Sequence, residues 1–410
     1  MKDKRILILF MIVLTNQIGA GALLPVLSLY VEGEMGATVI QAMLVVAAFY
    51  AAQFVSAPWL GRLSDRWGRR NVLIGSQIGT VLAYVGIYFA LPLGTAVEQW
   101  QLPIQLSGSL IIMFAMRILD GATGGNISVA QAYASDVSDA ENRTQTLGFI
   151  GGATGLGYVL GPIFGGALSL IGLLTPFIGA AVITAVTLLL TVLLLDEPSE
   201  RSTIAPSKSS EKLFANPIRP LTLSITFISI AAFSALQNIF PLYGAQILFN
   251  DQSASISPLL MIGLMLTFIG FVIAVSQIWL IKPLAARFGE VKLIMGGNLL
   301  LALGAIAILF STSPFFVLIS LAPFGFGYAL NITSLQSVMS LTGSVDTQGQ
   351  LMGWLQSAVS LAYISGLVWV GIAFAQINPQ SPFILAAGLF ICAFLLSLLL
   401  GRAHRAAISA

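Results

Sequence analysis

The chain has 410 residues, of which 57% are hydrophobic and only 8% charged, with 18 Lys and Arg against 16 Asp and Glu. Soluble globular proteins carry about 25% charged residues, so water is excluded as the solvent for most of this surface and an integral membrane protein is predicted. The single cysteine, Cys392, excludes a disulfide within the chain and a thiolate metal site, and the single histidine, His404 in the tail "GRAHRAA", leaves no ligand set for a metal and no Ser-His-Asp triad within the membrane.

A spanning helix needs about 20 mostly apolar residues. Polar, Pro and Gly interruptions divide the chain into twelve such segments: 6–30, 38–60, 71–93, 107–133, 144–170, 173–195, 220–248, 256–281, 290–311, 313–340, 348–374 and 380–401. The start, "MKDKRILILFMIVLTNQIGAG", has the charged head of a signal peptide, but its apolar run continues to Tyr30, too long for a cleaved segment, and is read as the first span. Of the 18 basic residues, all but Arg117 fall at the N-terminus, after an even-numbered span or in the tail. Loops after odd-numbered spans carry none, so both termini are expected in the cytoplasm. Glu32, Glu34, Glu98 and Asp251 then lie outside, where they read as solvating loop ends, with attraction of protons or cations at the outer mouth the alternative for Glu32 and Glu34.

Polar and small residues mark particular spans. Span one carries "GAGALLPVL" (Gly19 to Leu27), with Asn16 and Gln17 just before it, and span seven carries "FPLY" (Phe240 to Tyr243) after Gln237 and Asn238. Both are proline-interrupted with amides beside the break, which suits helices lining a cavity, or amides bonding across a packed bundle. The loop after span two reads "GRLSDRWGRRNVL" (Gly61 to Leu73). Its arginines alone would orient the chain, while Asp65 suits the positive N-terminus of a neighbouring helix.

Span four, "FAMRILDGATGGNI", buries Arg117 and Asp120 three residues apart. An intramembrane charge is costly and marks function. At this spacing the two share a helix face and can neutralise each other. Removal from water favours the neutral carboxyl while the guanidinium favours the charged one, the opposed forces a proton carrier needs. Asp120 is thus either the counter-ion of Arg117 or the proton site itself. In span five, "GLGYVLGPIFGG" (Gly155 to Gly166) sets small residues on one face for close helix contact, and Pro162 removes a backbone hydrogen bond.

The one long polar stretch, Asp196 to Pro220, is rich in Ser, Pro and charge and reads as a flexible cytoplasmic linker. It divides the chain into a bundle at 1–195, a linker at 196–219 and a bundle at 220–410. The halves repeat. Without a gap, the segment from Asn126 matches that from Asn331 at Gln131/Gln336, Gln145/Gln350, Tyr158/Tyr363 and Gly161/Gly366, among others, and "LSDRWG" from Leu63 is echoed by "LAARFG" from Leu284, with Ala286 in place of Asp65. Internal repeats are a hallmark of secondary transporters.

The loop at Gly61, Leu63, Asp65, Arg66, Gly68, Arg69 and Arg70 resembles the signature loop of the major facilitator superfamily in residue type, spacing and topological place. The resemblance covers essentially the whole chain. It implies an all-α membrane protein with 12 transmembrane helices in two pseudo-symmetric six-helix bundles. It also implies a charge network of Asp65, Arg69 and an acid ending span four, here Asp136, that breaks when the cytoplasmic side opens. Gly157, Gly161, Pro162, Gly165 and Gly166 resemble the motif of the family's antiporters, and span one resembles the 12-helix drug:proton antiporters. Arg117, Gly121 and Gly124 fit the family's span-four motif, from which Asp120 departs, since an amide usually stands there. The resemblance therefore implies proton-coupled export of small hydrophobic or amphipathic compounds by alternating access, from a bacterial inner membrane. Arg117 and Asp120 would couple the proton. Asn16, Gln17, Tyr50, Gln237, Asn238, Gln336, Gln356 and Tyr363 would contact substrate. The proton gradient is the energy source, and no cofactor, metal or nucleic acid is expected. The partners are lipid, substrate and protons, with the monomer as the family expectation. Proton-coupled uptake of a sugar or other metabolite is the alternative. An intramembrane enzyme or a receptor is disfavoured by the lack of a nucleotide loop or ligand set.

Overall fold

The computed structural model describes residues 4–99, 106–124, 126–137, 143–197, 216–249, 257–311, 313–343 and 348–409. These residues are almost entirely helical, as a membrane interior demands, because lipid offers backbone groups no hydrogen bonds and the helix satisfies them internally. Ten of the described helices are long and apolar enough to cross a membrane. The other two expected spans are present as helix but interrupted or shortened: the fourth as α6 and α7, the fifth as α8, whose apolar part is Gly152–Leu168.

In chain order the first half contains α1 (Lys4–Leu23), α2 (Leu27–Gly33), α3 (Val39–Trp67), α4 (Arg69–Tyr88), α5 (Ala90–Glu98), α6 (Gly108–Thr123), α7 (Asn126–Asp136), α8 (Arg143–Leu168) and α9 (Thr175–Leu194). The second contains α10 (Ile218–Tyr243), α11 (Pro258–Val275), α12 (Ile281–Phe288), α13 (Glu290–Phe310), α14 (Pro314–Ser340), α15 (Gln348–Gln376) and α16 (Ser381–Ser409). Several expected spans break where proline or glycine weakens the ladder. Span one breaks at Pro25 between α1 and α2. Span four breaks at Gly124, whose N–H bonds the Gly121 carbonyl in a tight turn. After Pro241, α10 continues as the π-helical turn Gly244–Leu248, and a second π-helical turn, Ser276–Leu280, joins α11 to α12.

The chain forms two compact units, Met1–Thr203 with Asp251–Thr267, and Ile204–Asn250 with Phe268–Ala410. In the first, α1 packs on α8 and α9, α4 on α6 and α9, and α6 on α3 and α5. An apolar cluster of Ile8, Leu9, Ile12, Leu60, Val72, Leu73, Tyr133 and Ile150 fills one end of it, beside the α3–α4 turn. In the second, α10 packs on α15 and α16, and α13 on α14 and α16. Its interior holds an aromatic stack, Phe233 between Phe324 and Tyr328 (ring centroids 5.3 and 3.9 Å away), and an uncharged polar contact, Ser229 Oγ donating to Asn298 Oδ1 at 2.7 Å.

Candidate functional site: a buried ion pair and a charge cluster at the α3–α4 turn

Span four places its two charges inside the first unit. Arg117 and Asp120 are 6% and 2% exposed, and Arg117 Nη1 donates to Asp120 Oδ2 at 2.8 Å. The pair is closed in by aromatic groups. The guanidinium carbon lies 4.5 Å from the centre of the Phe49 ring on α3, a desolvated cation–π contact. Tyr84 on α4 is close enough to feel both charges, and Tyr50 on α3 is close enough to feel Arg117. Arg117 Nε is buried without a hydrogen-bond partner among the described residues, so the pair is neutralised but incompletely satisfied.

Glycine makes this closeness possible. A Cβ at Gly121 would fall on the Phe49 carbonyl, and one at Gly124 would crowd Asp120 and Phe49. The carbonyls of Gly121 and Gly124 in turn accept hydrogen bonds from Ser56 (3.3 Å) and Gln53 (3.1 Å) of α3. The two motif glycines of span four thus set the α3–α6 crossing that holds the pair. The span-five glycines do the same for α1 and α8. Gly157 abuts Gln17, a Cβ at Gly161 would lie 2.7 Å from the Cα of Gly21, and Gly165 abuts the Ala22 backbone. Gly166 faces Gly263 within the same unit, and Pro162 is buried inside α8.

At the turn between α3 and α4, Arg69 Nε lies 3.0 Å from Asp136 Oδ2, joining α4 to the end of α7, and its Nη1 donates to Ser64. Asp65 sits in the last turns of α3, and its side chain lies outside the described residues. Gly61 has open space around it, and Arg66 is exposed. Gly68 turns the chain between α3 and α4 at φ +99°, a conformation that favours glycine.

The space above Gly68 is filled by a residue from far along the chain. The Glu197 carboxylate caps the start of α4, accepting from the N–H groups of Arg69 (2.7 Å) and Arg70 (2.9 Å). Arg70 Nη2 donates to the Val192 carbonyl at 2.7 Å, and the Tyr133 hydroxyl donates to the Asp196 carbonyl. Asp196 and Glu197 open the stretch that reads from sequence as a linker, and no pattern there marks Glu197 as a cap. A carboxylate at a helix N-terminus contributes about 1 kcal/mol. Glu197→Ala should therefore lower the unfolding midpoint in detergent measurably, with Glu197→Gln in between; an unchanged midpoint in both would contradict the cap.

The repeat of this corner in the second unit has a different charge logic. Gly289 again turns at φ +79°, but Glu290 stands where Arg69 does and accepts from Ser337 at 3.4 Å. Arg219, 3% exposed, donates to the Thr342 carbonyl at 2.6 Å at the end of α14.

The expected substrate residues fall in both units. Asn16, Gln17 and Tyr50 are half-buried in the first. In the second, Gln237 and Tyr363 are half-buried and Gln336 and Gln356 exposed. Asn238 is buried, with its amide donating to the Ser234 carbonyl of its own helix at 2.8 Å. Among the described residues no cluster of His, Cys, Asp or Glu is arranged to hold a metal.

Comparison with known proteins supplies the kinship. The chain is 33% identical over 377 residues to the tetracycline resistance protein, class C, of Escherichia coli, covering 89% of each chain. It is 24% identical over 415 residues to the quinolone resistance protein NorA of Staphylococcus aureus, covering 98% of each. In fold it resembles the crystal structure of a bacterial homologue of the human lysosomal transporter Spinster, with a TM-score of 0.76, 15% identity, and coverage of 97% of this chain and 96% of that one. The human organic anion transporter MFSD10 gives a TM-score of 0.66 at 24% identity, over 96% of this chain and 98% of that one. The family model of the Major Facilitator Superfamily matches residues 9–280 and 252–409. With its paired apolar helices, its Gly68 corner and its span-four arginine, this chain belongs to that superfamily of membrane transporters.

Proposed function

We infer that the chain is a secondary active transporter that exports small hydrophobic or amphipathic compounds in exchange for protons by alternating access. The observation that carries this reading is the Arg117–Asp120 pair, buried in the middle of a span within a chain 33% identical to a tetracycline resistance protein. A carboxylate taken from water prefers the neutral form, and one beside a guanidinium prefers the charged form. A conformational change that alters either influence makes Asp120 take up or release a proton. Arg117 sets the balance, and both residues act together.

The remaining roles follow. Arg69 and Asp136, with Asp65, serve as the cytoplasmic latch, flanked by Arg66, Arg70, Gly61 within α3 and the turn at Gly68. The Gly157, Gly161, Pro162, Gly165 and Gly166 face lets α8 slide on α1 with little steric hindrance. Asn16, Gln17, Tyr50, Gln237, Gln336, Gln356 and Tyr363 contact substrate. Asn238 contributes less, its amide being already engaged. The protein works as a monomer in a bacterial inner membrane, with bundles at 1–195 and 220–410, both termini cytoplasmic, transport rather than catalysis as its activity, and the proton gradient in place of any cofactor.

Proteoliposomes test this. With the lumen made acid, outward proton flow should drive accumulation of tetracycline, ethidium or a fluoroquinolone, and a protonophore should abolish it. Accumulation only when the lumen is alkaline would establish symport instead, and no gradient dependence with any of the three would contradict the proposal.

A further inference from the structure

Gln77, Thr80 and Tyr84 lie three and four residues apart on α4 and form one stripe along the helix. All are sealed from the exterior, Gln77 and Tyr84 at 1% exposure and Thr80 at 0%. A threonine in a helix ordinarily bonds the carbonyl four residues back. The buried Thr15, Thr184, Thr187, Thr191, Thr222 and Thr226 all do so. Thr80 does not. Its Oγ1 and the Oε1 of Gln77 have no hydrogen-bond partner among the described residues, and neither has Arg117 Nε. Such groups are costly to bury unless water meets them, and internal water typically bridges several polar groups at once.

These groups lead to the ion pair. The helices α4 and α6 run antiparallel in contact, with Gly79 against Thr123 and Gly86 against Met116. Asp120 is therefore level with residues between them on α4. At 1.5 Å per residue it stands about 3 Å along the axis from Thr80 and about 8 Å from Gln77. Tyr84 ends the stripe beside both charges, its hydroxyl 3.0 Å from where a Cβ on Gly19 would be. Toward the cytoplasm, Ser76 donates to the Thr123 carbonyl. One turn further on, fully buried Leu73 and its apolar cluster close the stripe, with the Arg69–Asp136 pair beyond.

We propose that the Gln77–Thr80–Tyr84 face of α4 is a hydrated proton-exchange route to Asp120 inside the first unit, gated at its cytoplasmic end by Leu73. The route rests on Asp120 being the proton site. In each loading step an O–H bond of a hydronium in the stripe breaks, an O–H bond forms on Asp120, and water is left. Release is the reverse, and Arg117 stays protonated throughout. Because the stripe runs within one unit, the proton need not share the substrate's path. Among the described residues, the titratable groups beside the pair are Arg117 on the same helix as Asp120, Tyr84 on α4 near both charges, and Tyr50 on α3 near Arg117, with Tyr158 of α8 close to Tyr50. Tyr133 and Asp136 on α7 and Arg69 lie at the cytoplasmic end, Glu98 of α5 lies at the opposite end, and α9 carries no titratable side chain.

Infrared difference spectroscopy of the full chain in liposomes tests the route without any substrate. The protonated-carboxyl stretch that Asp120→Asn removes is identified first, and its shift after exchange into D2O is timed. Thr80→Val and Gln77→Leu should each slow that shift about tenfold, the factor set by one lost hydrogen bond, while Thr80→Ser keeps the wild-type rate. An unchanged rate in Thr80→Val and Gln77→Leu overturns the route alone. Equal slowing in Thr80→Ser and Thr80→Val assigns the effect to packing and also overturns it. If no band is lost in Asp120→Asn, the assignment of Asp120 as proton site fails, and the route with it.

Discussion

Replacing Arg117 by alanine should cost about 3–5 kcal/mol, the penalty of leaving a buried charge without its partner. Asp120 is 2% exposed, its Oδ2 takes the Arg117 hydrogen bond, and the guanidinium also covers the Phe49 ring. Alanine removes both contacts and leaves the carboxyl against aromatic rings and helix backbone. That carboxyl can escape the cost by taking up a proton. Arg117→Ala should therefore fold better in acid than in neutral solution, and the double variant Arg117→Ala/Asp120→Ala should recover most of the lost stability at either pH. Thermal unfolding in detergent, run on both variants, checks this. A stable, pH-indifferent Arg117→Ala would mean that the pair is not the electrostatic unit its geometry indicates. Lysine is no substitute, since its point charge cannot stack on Phe49 while reaching Asp120.

How far the sequence could be read depended on which force fixed each feature. The spans were legible because lipid tolerates only long apolar helices, and the repeat was legible because Asn, Gln and Tyr recur in register at Asn126/Asn331, Gln131/Gln336 and Tyr158/Tyr363. The ion pair was legible because an i, i+3 spacing fixes which side chains can meet. The break of span one at Pro25 was legible because proline weakens the helix ladder, whereas the break at Gly124 blurred into a continuous apolar run, since hydrophobicity does not record where the backbone turns.

Contacts between distant segments were harder to see. Nothing in "DEPSE" says that Glu197 folds back 128 positions to cap α4 at Arg69, because that bond depends on where α9 ends in space. The glycines of α8 could be read as a close-packing face, but not that α1 is what they meet. Gln77 and Thr80 were invisible for a related reason: a polar residue in an apolar run is usually satisfied by its own helix, and only the structure shows that these two are not.

Asp120→Asn separates the chemistry from the fold. The amide keeps the size of the carboxyl and can still accept from Arg117 Nη1, but it cannot carry a proton. It also leaves Arg117 without a buried counter-charge, so thermal unfolding must first show a folded variant, with Asp120→Glu as the control that retains an acid. With protein reconstituted in liposomes, the decisive measurement compares two fluxes of tetracycline in the same preparation. One is accumulation driven by an acid lumen, and the other is exchange of labelled for unlabelled compound with no gradient. The account predicts that Asp120→Asn loses the driven flux altogether and keeps the exchange, whereas Asp120→Glu keeps both. Driven accumulation by Asp120→Asn with wild-type pH dependence would contradict it, and would leave Asp120 as no more than the counter-ion of Arg117.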